Sequence, residues 1–204
     1  SNVMYLDATE HKYIEECGAA NFFGIKDGKY ILKDMNGDNQ ISEDDRTYIG
    51  DAQPDLTFGW NNSFRYKNFD FSFFFRGSIG QKVMNHVRMA YAQSGGLIGA
   101  NALNDPLTYE LKEVPKYCSY YIEDASFVRL DNVTLGYTFN TKNIGWLQKA
   151  RIYATGQNLF LITGYKGLDP ETNVGRNDGL APGVEDREFY PKARTFTFGV
   201  NLTF

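Results

Sequence analysis

The densest set of metal-ligating side chains is the run Asp34-Met35-Asn36-Gly37-Asp38-Asn39-Gln40-Ile41-Ser42-Glu43-Asp44-Asp45. Oxygen donors at loop positions 1, 3, 5, 7 and 12 suit a hard cation such as calcium. The candidate ligands are the side chains of Asp34, Asn36, Asp38 and Asp45 and the backbone carbonyl of Gln40, with Ser42 placed for contact through water. Asn39 stands where such loops carry glycine, and the shorter Asp45 stands where they carry glutamate. The same residues also suit an Asx-rich turn closed on its own backbone donors, so the cation and turn readings both stand. No helix pair flanks the run, which makes it an isolated loop and not a sensor.

Other chemistries find little support. The two histidines, His11 and His86, lie far apart with no third ligand in pattern, which argues against a zinc site or a histidine-based triad. Ser94-Gly95-Gly96-Leu97-Ile98-Gly99 has glycines but no following Lys-Ser/Thr, so it reads as a loop and not a phosphate cradle. The carboxylate pairs Asp44-Asp45 and Glu185-Asp186 fall in turn-like runs. Cys17 and Cys118 have no metal or redox spacing. The chain is therefore expected not to be an enzyme. A net charge of -4, from 21 basic and 25 acidic residues, argues against a nucleic-acid partner.

The elements that must position any site are strands. In Leu56 to Tyr66 one parity carries Leu56, Phe58, Trp60, Asn62, Phe64 and Tyr66, and the other carries Thr57, Gly59, Asn61, Ser63 and Arg65. This period of two defines a strand with one apolar face and one polar face. Lys67-Asn68 reads as a tight turn, after which Phe69, Phe71, Phe73, Phe75 and Ile79 repeat the pattern and complete a hairpin. Asn132 to Phe139 alternates again, but the preceding Ser126 to Asp131 has opposite parity, which signals a bulge or a change of environment. Arg151 to Phe160 is strand-like with poorly defined faces, and Thr195 to Phe204 alternates throughout. A segment from about Tyr13 to Ile25 is a sixth candidate.

The intervening connections run long, short, long, shorter, long: 26–55, Lys67-Asn68, 80–125, 140–149 and 161–193. That alternation is the pattern of a transmembrane barrel, with short periplasmic turns and long extracellular loops. With 16 Phe, 14 Tyr and 2 Trp, the chain has enough large rings for a lipid-facing surface. Its polar parity is Thr, Asn, Ser, Gly and Arg, unlike a freely solvated sheet face. No stretch approaches the roughly 20 apolar residues of a membrane helix, so any crossing must use strands. The alternative that stays open is a secreted β-sandwich with a calcium loop that binds carbohydrate through aromatics.

Several blocks, taken in order, carry a resemblance. They are Asp34-Met35-Asn36-Gly37-Asp38, Asp45-Arg46, Tyr66-Lys67-Asn68-Phe69-Asp70, Phe75-Arg76-Gly77, Glu123 through Leu130, Val133 through Tyr137, Gly156-Gln157-Asn158-Leu159-Phe160, Leu168-Asp169-Pro170-Glu171, and Tyr190-Pro191 through Phe204. Together they resemble the C-terminal region of SusC/RagA-like TonB-linked outer-membrane transporters, from about Gly18 onward.

The resemblance implies an all-β antiparallel transmembrane segment, about six strands of a barrel of about 22 strands. It implies import of glycans or peptides across the outer membrane of a Gram-negative bacterium. The implied partners are the rest of the barrel and its plug, TonB, a SusD-like surface lipoprotein and membrane lipid. No signal peptide, TonB box or plug is legible in these 204 residues, and six strands cannot close a barrel of this class. The terminal pattern Phe196, Phe198, Val200, Leu202 and Phe204 resembles the signal read by the barrel-assembly machinery. Trp146 fits an interfacial anchor. The loop tyrosines, including Tyr91, Tyr109, Tyr117, Tyr120, Tyr121 and Tyr165, suit either stacking on sugars and the lipoprotein or packing within the loops.

Overall fold

Alternating apolar and polar residues dictate where strands with two unlike faces form, and three of the five long strands follow that alternation along their length. The computed structural model describes residues 4–6, 14–17, 23–26, 29–32, 35–40, 42–92, 103–104, 118–172, 182–185 and 190–204. Near the N-terminus, β1 (Met4–Leu6) pairs with β2 (Ile14–Cys17), and β3 (Phe23–Lys26) pairs with β4 (Lys29–Leu32), each as an antiparallel two-stranded ribbon. The expected sixth strand over 13–25 is therefore not one crossing element. Its described parts, β2 and β3, are four residues each and belong to separate ribbons.

The remaining strands are β5 (Leu56–Tyr66), β6 (Phe69–Ile79), β7 (Lys82–Met84), β8 (Ile122–Asp124), β9 (Phe127–Phe139), β10 (Lys149–Thr163) and β11 (Thr195–Thr203). Five of them form one antiparallel sheet in the order β11-β10-β9-β6-β5, leaving β5 and β11 as its edges. The predicted hairpin has the expected bounds, with Lys67 at the turn taking a φ of +51°.

Register puts the apolar parity of all five strands on one face. Phe64, Phe71, Leu135, Ala154 and Phe198 lie side by side across the sheet, and so do Tyr66, Phe69, Tyr137, Ile152 and Val200. The parity switch in β9 is resolved by a bulge: Phe74 pairs with Asn132 and Phe75 with Leu130, so Asp131 is the extra residue. The pairing of β10 is irregular at the same level, where Asn158 takes a φ of +52°. Val128 and Leu130 thereby return to the apolar face. The faces of β10 are hard to read from sequence because Ala150, Ala154 and Gly156 occupy its apolar positions, which register alone reveals.

The rings of this face are not enclosed. Phe58 is 36% exposed, Phe71 37%, Phe198 80% and Phe204 68%. Rings this exposed do not form the closed core that the β-sandwich alternative requires. They pack on one another instead: Phe73 lies 5.5 Å from Trp60, 5.8 Å from Phe71 and 5.6 Å from Phe75. No described helix is long and apolar enough to cross a membrane.

The chain divides into two compact units. The five-stranded sheet with the 140–148 connection and 191–194 is one of them. The other comprises 1–55, 80–126 and 164–190, so it gathers the three long connections. Within it β7 pairs with β8, followed in the chain by α1 (His86–Tyr91) after β7. Asn85 caps that helix, its side chain accepting from Arg88 N at 2.8 Å. A small core of Met84, Met89, Cys118 and Tyr121 holds this unit, with Val83, Ala125 and Tyr165 forming a second cluster.

Candidate functional site

Two surfaces of the sheet and one cluster within the connections carry the chemistry. On the apolar face, aromatics concentrate at the end of the strands that bears the short connections. Phe69 meets Tyr137 at 4.8 Å, Tyr137 meets Phe139 at 4.9 Å, and Trp146 stacks on the terminal Phe204 at 5.7 Å with planes 13° apart. The Lys67 ammonium sits 5.3 Å from the centroid of the exposed Tyr66 ring. Such a belt, with amphipathic rings beside a lysine, is the composition of a membrane–water boundary.

The opposite face is polar and internally paired. Arg151 Nε donates to Asp70 Oδ1 at 2.9 Å and Nη2 to Oδ2, a two-pronged pair that joins β10 to β6 across β9. It passes over Gly136, where a Cβ would overlap both the guanidinium and the carboxylate. Arg76 Nε donates to the bulge residue Asp131 at 2.9 Å, and Arg129 Nη1 donates to Asn158 Oδ1. Asn158 Nδ2 in turn donates to Lys192 O at 2.7 Å. Between these pairs runs a row of hydroxyls, Ser63, Ser72, Thr134, Thr155 and Thr197, with Thr134 and Thr155 bonded at 2.9 Å.

Within the unit of long connections, Glu123 is the hub. Its Oε1 accepts from Arg88 Nη1 at 3.1 Å and Asn85 Nδ2 at 3.2 Å, and its Oε2 accepts from Lys166 N at 2.8 Å. The Arg88 guanidinium also lies 4.2 Å over the Tyr120 ring. Gln81 Nε2 donates to Ala125 O and Pro170 O, and buried Glu185 accepts from Leu168 N at 2.8 Å. Segments distant in sequence are thus tied by few side chains. Burial pushes the Glu185 carboxyl up, with the nearby Glu123 charge adding, against the hydrogen bond from Leu168. Burial, and then Glu185, also pushes the Tyr165 phenol up. Asp124 is held down at about 2 by hydrogen bonds from Ser126 and Lys82.

The tyrosines divide accordingly. Tyr121 and Tyr165 are buried in the loop clusters and Tyr120 packs edge-on against Tyr121 at 5.1 Å, so these three are packing residues. Tyr91 is half-buried, and Tyr109 and Tyr117 lie outside the described residues. The hub at Glu123 was not visible in the sequence; the only local trace was the acidic Glu123-Asp124 followed by small residues.

In the acidic run, Asp34 lies outside the described residues. Asn36, Asp38 and Gln40 are exposed, whereas Asp45 is fully buried. Asp45 Oδ1 accepts from Met35 N at 2.7 Å, and Oδ2 accepts from Ser42 N at 2.8 Å. Asn36 Oδ1 accepts from Asp38 N at 2.9 Å, and Asp38 Oδ1 from Gln40 N at 2.7 Å. These are Asx turns closed on a buried carboxylate. Among the described residues no three His, Cys, Asp or Glu side chains are gathered for a metal. The terminal residues Phe196, Phe198, Val200, Leu202 and Phe204 are all exposed, the first four on the apolar face of edge strand β11.

A single antiparallel sheet with an exposed ring face, a paired polar face and long connections on alternate turns is a segment of a transmembrane β-barrel. No protein-family model matches the chain. It is 36% identical over 202 residues to TonB-dependent receptor P3 of Formosa agariphila, covering 92% of this chain and 20% of that receptor. It is also 36% identical over 209 residues to TonB-dependent receptor SusC of Bacteroides thetaiotaomicron, covering 91% of this chain and 20% of the receptor. The RagAB peptide importer in its closed-closed state matches with a TM-score of 0.66 at 25% identity, over 87% of this chain and 20% of that one. In its open-open state the TM-score is 0.72 at 22% identity, over 99% and 24%. The chain is therefore SusC/RagA-like TonB-dependent receptor sequence, and it spans about a fifth of the length of the curated relatives it matches.

Proposed function

We propose that this chain forms the C-terminal barrel strands of a TonB-dependent importer in the outer membrane of a Gram-negative bacterium. The importer takes up glycans or peptides together with a SusD-like surface lipoprotein. One observation carries the reading: the apolar parity of five strands makes a single uncovered face of rings, backed by a polar face held by internal ion pairs. In this reading the rings meet lipid, the polar face meets the plug and water, and the connections 26–55, 80–125 and 164–193 are extracellular, the last starting later than the expected 161 because β10 runs to Thr163. Edges β5 and β11 pair with further strands of the barrel, since an exposed apolar edge is an aggregation hazard.

The final strand has a second role in this proposal. Phe196, Phe198, Val200, Leu202 and Phe204 present one apolar row on an edge, which is the surface a barrel-assembly machine must read before the barrel closes. Deleting Phe204 from the intact receptor should lower its level in the outer membrane while its synthesis stays unchanged.

Uptake decides the main reading. A strain lacking the receptor gene is supplied with fluorescent oligosaccharides in one arm and oligopeptides in the other, with and without a functional TonB. Restored uptake of either class that depends on TonB and on the neighbouring lipoprotein gene is expected. Failure in both arms, with the receptor present and folded in the outer membrane, refutes the proposal.

A further inference from the structure

Along β10 the ring face thins, with small residues at Ala150, Ala154 and Gly156. Ala154 is flanked in register by the much larger Leu135 and Phe198, while the space at Gly156 is met by the Leu159 side chain. The result is a groove of about 570 Å³ lined by Phe69, Leu135, Tyr137, Ile152, Ala154 and Phe198, among others. It lies near the short-connection end of β6, β9, β10 and β11, the end marked by Tyr66, Trp146 and Phe204.

We propose that this groove seats one acyl chain of a glycerophospholipid, whose headgroup remains at the aromatic belt near Lys67. The inference rests on the ring face being lipid-facing and adds a defined site to it. The lining is aliphatic and aromatic, so a sugar or a peptide backbone would lose its hydrogen bonds there without replacement. The surface is continuous with the membrane-facing sheet, where acyl chains are the surrounding medium. Around Phe73, by contrast, the rings of Trp60, Phe71 and Phe75 pack against one another. At Ala154 the missing volume gives a chain contact on its floor and both sides, which a flat surface cannot offer.

The test uses the intact receptor in phospholipid nanodiscs containing a phosphatidylethanolamine with a diazirine in its acyl chain. After illumination, labelled peptides are mapped by mass spectrometry. The expected result is labelling concentrated on 149–157 and 195–200 relative to 160–163. Ala154→Phe should reduce it about tenfold, the effect of losing contact with roughly two methylenes, and Ala154→Leu should reduce it to an intermediate level. Both variants add apolar volume toward lipid, and unaltered gel mobility without heating confirms that each is folded. Equal labelling in wild type and Ala154→Phe, or labelling spread evenly over the face, overturns the proposal. So does a wild-type dimer that Ala154→Phe dissociates, because the occupant is then a second copy. Quenching of Trp60 by brominated phospholipid separates the two levels: quenching with uniform labelling removes only the groove, whereas no quenching removes the lipid-facing reading as well.

Discussion

Phe73 and Ser72 are adjacent in sequence and point to opposite sides of the sheet, so placing the same charge at each tests the assignment of faces. Phe73 is near the middle of β6, with the rings of Trp60, Phe64, Phe71 and Phe75 at 5.5, 6.1, 5.8 and 5.6 Å. Phe73→Arg removes these contacts, each worth about 0.5 to 1.5 kcal/mol, and sets a guanidinium near the bilayer midplane at about 2 to 4 kcal/mol. Allowing for rings that recover contact with lipid, the loss is about 4 kcal/mol, or about a thousandfold in the folding equilibrium. Ser72 pairs with Ser63 and Thr134, so Ser72→Arg meets hydroxyls and water and should cost under about 1 kcal/mol. Urea titration of the intact receptor in phospholipid vesicles, followed by gel mobility without heating, measures both. Equal costs, or a larger cost at Ser72, would refute the assignment.

Gly136→Ala should destabilise the receptor by about 1 to 3 kcal/mol, because its methyl would displace the Arg151–Asp70 pair, while Gly145→Ala, with open space around it, should change the melting temperature little. Glu123→Ala should cost about 3 kcal/mol within the long connections and raise amide exchange in 80–92 and 164–172 together, since it leaves Arg88 without its carboxylate partner. In the acidic loop we propose that calcium binds and slows amide exchange over 35–45; identical exchange in calcium and in chelator would leave the loop as Asx turns alone. Changes of pH should act on the same unit in two opposing ways. The lowered Asp124 contributes stability that is complete above about pH 4 and lost as pH falls toward about 2, and Asp124→Asn should abolish that loss. The raised Glu185 favours its protonated form in the fold, so stability falls as pH climbs from the ordinary glutamate range through its raised value, and Glu185→Gln should flatten that slope in melts taken between pH 4 and 8.

The hairpin 56–79 was legible to the residue because alternation and a two-residue turn are local signals. In β9 the change of parity was legible, but register alone decides that it is a bulge and puts it at Asp131, where a buried or lipid-bound face forces the pairing to recover. Less visible was β10, whose apolar positions hold Ala150, Ala154 and Gly156; small residues leave no contrast for a period to show. The segment 13–25 misled because its apolar content was read as one strand, whereas its described parts belong to two ribbons. In the long connections, lengths and the Asx-rich run 34–45 were legible, but the ties between segments were not. Their internal order depends on Glu123 reaching Asn85 and Arg88 more than thirty residues away, and no spacing rule encodes such a pair.

The row Ser63, Ser72, Thr134, Thr155 and Thr197 gives the polar wall a particular surface character. Hydroxyls both donate and accept hydrogen bonds and can rotate, so each contact they make to a neighbouring body is nearly interchangeable with a contact to water. A wall built this way wets whatever rests on it without gripping it, and a body leaning there can slip by small, evenly spaced barriers in place of one deep trap.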